Sequence, residues 1–328
     1  IAIGTVCRGK VGGLAALAGF TLPASILMIA FGLGILASES AFDSAWLHGL
    51  KIVVVAVVLR AVLQMAPRLC PDWRGRIVAG IVFGTLIAVP IDHGQIIAIG
   101  VAGITGFVFR RQFSSPEALR PRLMGSPSFA IVNLVLLLVL LVGLPVVALV
   151  PGVSNLTGAF DGLFRSGALV FGGGHVVLPL LEVEFVSTGW VKEDAFFAGY
   201  GLMQALPGPI FAFAGYLGTV MSPMPNQLLG GAICLVAIFL PGLLLIWGVL
   251  PLWARFSGNQ VVGSVLSDIN AAVVGLLAAA LYDPIWVNAI LHWTDAVVAF
   301  AAFLALQSQG IPTWVIVISC ALCSTVLA

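Results

Sequence analysis

The chain has 328 residues, of which 61% are hydrophobic and only 8% charged, with a formal net charge of +1. Soluble domains carry roughly 25% charged residues, so the composition excludes a soluble globular enzyme. No basic run resembles a nucleic-acid surface, and nothing implies a cofactor. The expected fold is an all-α polytopic membrane protein lying in a lipid bilayer.

A spanning helix needs about 20 apolar residues. Candidate spans fall at 11–37, 50–66, 77–90, 95–109, 128–150, 165–181, 195–221, 228–253, 260–284, 287–307 and 311–328. The pair 77–90 and 95–109 is short and split by Pro90-Ile91-Asp92-His93-Gly94, which reads as a hairpin. Nine of the fourteen Lys and Arg residues lie in alternate loops: Arg8, Lys10, Arg68, Arg74, Arg76, Arg110, Arg111, Arg120 and Arg122. Glu39, Asp43 and Asp92 occupy the opposite loops. The positive-inside rule makes the basic loops cytoplasmic. The five cysteines show no disulfide framework, and Cys320-x-x-Cys323 reads as two small residues on one helix face. The sequence opens at Ile1, without Met or a signal peptide, and the expectation is that a beginning is missing.

An internal repeat is visible. Gly4-Thr5, Gly12-Gly13 and Phe20-Thr21-Leu22-Pro23 echo Gly218-Thr219, Gly230-Gly231 and Ile238-Phe239-Leu240-Pro241, with four residues inserted in the second copy. Lys51 to Val58 then lies over Asn270 to Leu277, an offset of 219. The expected organisation is a first repeat over 1–127, a connecting segment over 128–160 and a second repeat over 161–328. Seven spans separate Gly4 from Gly218, an odd number, which predicts inverted repeats.

The most unusual chemistry lies at Phe171-Gly172-Gly173-Gly174-His175 and at Gln204-Ala205-Leu206-Pro207-Gly208-Pro209. Glycines free the backbone, and Pro-Gly-Pro removes N–H donors and breaks a helix. Such breaks survive in a bilayer only where protein buries them or where they line water, and broken helices are where transporters bind ions. A half-helix starting after the glycines would point free N–H groups at an anion; close helix packing is the competing reading. His175 would attract the anion or titrate against it, or bond a backbone carbonyl. Gln204 can donate two N–H bonds, and Tyr200 and Tyr216 one hydroxyl each. Arg60, near the middle of its span, costs about 2.5–3.5 kcal/mol on insertion scales and so is expected to face a cavity or partner. Lys51, nearer an end, can snorkel. Arg165 is an entrance residue or an interfacial anchor, suited by its paired donors to a tetrahedral oxyanion. Asn270, which aligns with Lys51, is a further substrate candidate. Glu182 is a candidate proton carrier beside His175, while Glu184, Glu193 and Asp194 read as solvated loop residues.

Together with Tyr216-x-Gly218, Asn270-Ala271-Ala272-Val273-Val274-Gly275-Leu276 and Tyr282-Asp283-Pro284-x-Trp286, these motifs resemble the chromate ion transporter family over nearly the whole chain. The resemblance implies a bacterial inner-membrane, multi-pass protein of two homologous halves that exports chromate, confers resistance to it and draws on the proton-motive force. It departs from the family in lacking a first copy of the glycine-rich and Pro-Gly-Pro motifs. Sulfate and other tetrahedral oxyanions, nearly matched to chromate in size and charge, stay open as substrates, and so does a homodimer. A passive channel is disfavoured by the inverted repeat with broken helices. A membrane-embedded enzyme or a metal site would need clustered ligands, and the four histidines (His48, His93, His175, His292) are scattered.

Overall fold

The computed structural model describes all residues except 38–44, 90–93, 110–126, 151, 223, 225, 253–258, 309 and 328. Glu39, Asp43, Asp92, His93, Arg110, Arg111, Arg120 and Arg122, used above for topology, lie outside the described residues. Among the described residues all regular structure is helical.

In chain order the helices are α1 (Ala2–Leu36), α2 (Ala45–Leu69), α3 (Trp73–Ala88), α4 (Gly94–Val108), α5 (Pro127–Ala148), α6 (Asn155–Ala168) and α7 (Val177–Phe185). They continue as α8 (Glu193–Met203), α9 (Phe213–Val220), α10 (Gln227–Val249), α11 (Gln260–Ala280), α12 (Trp293–Gln307) and α13 (Thr313–Leu327). Among the described residues five segments are long and apolar enough to cross a membrane: Ala2–Leu36, Ala45–Leu69, Ser128–Ala148, Gln227–Leu252 and Gln260–Ala289. On α5 the side chains of Val132, Val135, Leu138, Val139, Val142 and Val146 are exposed. In water such a face would be a severe liability; in hydrocarbon it is the expected surface.

The stretch 165–181 is two helices rather than one. α6 stops at Ala168, and a tight 3₁₀ turn, Gly174–Val176, leads into α7. The stretch 195–221 divides the same way: α8 ends at Met203, Gln204 to Pro209 are non-helical, and a turn at Ile210–Ala212 leads into α9. Neither α7 nor α9 exceeds nine residues, so the breaks shorten both apolar segments well below a full crossing.

The repeat has a packing counterpart. A side chain on Gly218 would collide with the Gly230 carbonyl, and one on Gly4 with the Gly12 carbonyl. Gly218 lies on α9 and Gly230 on α10, whereas Gly4 and Gly12 lie on either side of a kink inside α1 at Arg8–Gly9. Gly9 sits at φ 64°, a conformation that side chains disfavour. Pro23 and Pro241 lie inside α1 and α10 at matching positions.

Helices from the two ends of the chain cross over in their packing. α3 and α4 pack against α11, whereas α12 and α13 pack against α2. Polar ties fasten both contacts: Arg74 Nη2 lies 3.3 Å from Asp268 Oδ2, and His48 Nε2 lies 3.2 Å from Asp295 Oδ2. α2 is the most enclosed of the long helices, with Ile52 to Val58 buried among α8, α11, α12 and α13.

Candidate functional site

An open cleft of about 320 Å3 lies at the C-terminal end of α2, where the glycine turn, the end of α8 and the α12–α13 turn converge. This is at the small end of the range of ligand clefts, ~300–1,000 Å3. Its polar lining is Arg60, Gln64, Arg68, His175, Gln204 and Thr313, together with the backbone at Gly172 and Gly173.

α2 supplies the cationic wall. Arg60, Gln64 and Arg68 follow one another at i, i+4 and i+8, so one face of an otherwise apolar helix carries all three. Among the described residues no carboxylate lies within ion-pair reach of Arg60 or Arg68; carboxylates instead meet Lys51, Arg74, Arg165 and His48. Two uncompensated guanidiniums in a half-enclosed cleft attract an anion.

The opposite wall is backbone. Gly172 has φ 81°, and a Cβ there would lie 2.8 Å from Leu69 Cδ1 and 3.6 Å from Asn270 Oδ1. Only glycine turns the chain this close to α2 and α11. Gly173 is extended and opens the 3₁₀ turn into α7; Val176 donates back to the Gly173 carbonyl and Val177 to those of Gly174 and His175, so the N–H groups of Gly174 and His175 are the ones left without an acceptor inside the turn. Gly174 faces Ile210 at the start of the other turn, so the two breaks touch each other. His175 Nδ1 is 2.8 Å from the Tyr200 hydroxyl, and Gln204 Nε2 donates to the Tyr200 carbonyl at 3.4 Å. Tyr200 is fully buried, so α8 holds both polar groups from behind.

Five of the residues singled out from sequence therefore share this cleft: Arg60, Gly172, Gly173, His175 and Gln204. Asn270 adjoins it through Gly172. Others lie elsewhere. Lys51 pairs with Asp194 at 2.8 Å. Arg165 bridges Asp161 at 3.0 Å and Glu184 at 2.8 Å, tying α6 to α7; it is not at the cleft, and Glu184 is an ion-pair partner rather than a free loop residue. Pro207, Gly208 and Pro209 form the break itself, with Gly208 against Ala24 of α1. Tyr216 donates to the Ala195 carbonyl at 2.8 Å, inside the core. Glu182 lines a different cavity.

Three polar cleft residues escaped the sequence reading: Gln64, Arg68 and Thr313. Arg68 counted there as a loop marker, but α2 runs on to Leu69 and turns it inward. The i, i+4, i+8 spacing of polar residues was the available signal. Thr313 carried none, because its place depends on the packing of α12 and α13 against α2.

Long apolar helices mark a multi-pass membrane protein, and the cleft among them is cationic and lined by backbone. The sequence profile of the family described as Chromate transporter matches residues 1–107 and 157–325, and the chain belongs to that family. It is 26% identical to the chromate transport protein of Pseudomonas aeruginosa over 92% of this chain and 71% of that one. It is 31% identical to the uncharacterized transporter YwrB of Bacillus subtilis over 48% of this chain and 79% of that one. A third relative, the uncharacterized transporter MJ0718 of Methanocaldococcus jannaschii, is 24% identical over 84% of this chain and 67% of its own length. No solved structure matches.

Proposed function

We propose that the chain carries chromate out of the cytoplasm, holding the dianion between the Arg60–Arg68 face of α2 and the glycine turn before α7. One observation carries this reading: two arginines without carboxylate partners face exposed main chain and the polar groups of His175 and Gln204 across one cleft. Charge-assisted bonds from guanidinium and backbone N–H suit a tetrahedral oxyanion. The relatives' names supply chromate as the substrate; sulfate, of like shape and charge, is the competitor to be tested against it.

In this reading α6–α7 and α8–α9 are two discontinuous membrane helices whose breaks meet at the substrate. The matching glycine contacts and crossed helix packing support two inverted halves. Arg68, Arg74 and Arg76 beside the mouth favour a cytoplasmic opening in a bacterial inner membrane. A dianion leaving an inside-negative cell gains about 4.6 kcal/mol per 100 mV, from about 2.3 per elementary charge. Export is thus electrically assisted, and proton exchange through His175 or Glu182 is the proposed coupling. Chromate flux into inverted vesicles under an imposed potential or pH gradient tests this. Flux indifferent to both gradients defeats the coupling, and no flux at all defeats the function.

A further inference from the structure

A second cavity, about 170 Å3, lies between the α3–α4 hairpin, α7 and the end of α11. Its lining repeats that of the cleft. Val57, Arg60, Ala61, Gln64 and Met65 of the cleft map, at the offset of 219, onto Leu276, Ala279, Ala280, Asp283 and Pro284 of the cavity. In the other direction Leu306 and Thr313 of the cleft map onto Ile87 and Gly94 of the cavity. Seven of the nine cleft positions on α2 and the α12–α13 hairpin thus recur, at the offset on which Lys51 aligns with Asn270. The two spaces are built the same way: a long helix of one copy and the hairpin of the other.

Three differences separate them. The cleft is nearly twice as large. The cavity has Ala279 where the cleft has Arg60, and it carries Asp283 and Glu182. The mouths are also far apart. α3, 16 residues long and so about 24 Å at 1.5 Å per residue, runs from beside the cleft's Leu69 to the cavity's Leu86 and Ile87.

The geometry points to the second cavity as the opposite-facing mouth of one transport path, with cleft and cavity widening and narrowing in alternation as the α12–α13 and α3–α4 hairpins trade positions. This rests on the transport reading above. Two like-built halves in unlike states are what alternation between two sides of a bilayer requires. The present conformation has the α2 mouth wide and the α11 mouth narrow. Carboxylates at the narrow mouth disfavour a dianion, which suits that side to release.

The test uses the full chain with Cys7, Cys70, Cys234, Cys320 and Cys323 replaced by alanine, carrying Gln64→Cys or Asp283→Cys. A membrane-impermeant maleimide is applied to right-side-out and inverted vesicles. Expected is labelling of the two positions from opposite sides, with saturating chromate changing the two rates severalfold in opposite directions. Labelling from one side, or rates that move together, overturns the proposal. Gln95→Trp in the otherwise unaltered chain is the second measurement, since it fills the cavity without touching the cleft. Expected are chromate binding within about twofold of the parent and flux at least tenfold lower; parent-level flux, or loss of binding, overturns it. Parent protein that neither binds nor moves chromate sinks the functional reading instead, so the two failures are distinguishable.

Discussion

His175 reaches the Tyr200 hydroxyl at 2.8 Å although 25 residues, comprising α7, the loop after it and the start of α8, separate them. With the hydroxyl donating to Nδ1, the imidazole keeps its proton on Nε2, available to an anion. A net hydrogen bond contributes about 1 kcal/mol. Tyr200→Phe is therefore expected to weaken chromate binding roughly five- to tenfold by calorimetry while the protein stays folded. Unchanged affinity removes this pair from the site.

Arg60 and Arg68 are predicted to act as charges. Hydrogen bonds to charged groups are worth about 1.5–3 kcal/mol, so Arg60→Ala should weaken binding roughly ten- to a hundredfold. Cells carrying Arg60→Ala or Gln204→Ala should lose chromate resistance although the protein inserts. Arg60→Lys should recover only part of the affinity, because an ammonium cannot donate in a fork. Parent-level resistance in both alanine variants would place the substrate elsewhere.

Lys51 and Arg165 give the opposite expectation. Both are occupied by carboxylates outside the cleft. Lys51→Met removes a pair whose Asp194 side is largely solvated, for which surface pairs suggest a cost under about 1 kcal/mol. Arg165→Met strands Asp161 and Glu184 and should lower the thermal unfolding temperature. Chromate dissociation constants in both variants should stay within about twofold of the parent, and a tenfold loss would return these residues to the site.

The glycine turn separates strain from occlusion. Gly172→Ala puts a side chain at positive φ, costing about 1–2 kcal/mol, and drives its Cβ toward Leu69; a lower unfolding temperature is expected. Gly173 is extended, and a Cβ there would meet only Met65, at 3.4 Å. Gly173→Ala should leave stability and transport nearly intact, whereas Gly173→Leu fills the backbone approach and should stop transport. Normal flux in Gly173→Leu would mean that the glycines serve packing.

Gly218 and Gly230 form a contact with no room for side chains. Overpacking there costs about 1–3 kcal/mol, so Gly230→Val should reduce thermal stability in detergent. A variant as stable as the parent would contradict the close approach of α9 and α10.

The sequence alone determined that the chain is membrane-embedded and helical, because apolar length and charge scarcity are local properties. It also marked the breaks at Gly172–Gly174 and Pro207–Pro209, since glycine and proline act on their own backbone. It flagged Arg60 because a charge amid apolar neighbours is costly wherever the helix sits. Only the tertiary structure decided which cations are free. Lys51 and Arg165 resembled Arg60 along the chain, but Asp194, Asp161 and Glu184 meet them across space, and the helix that brings Thr313 into the cleft with Arg68 lies at the far end of the sequence. A charge acts through its partner's distance, and that distance is fixed by packing between helices far apart in the chain.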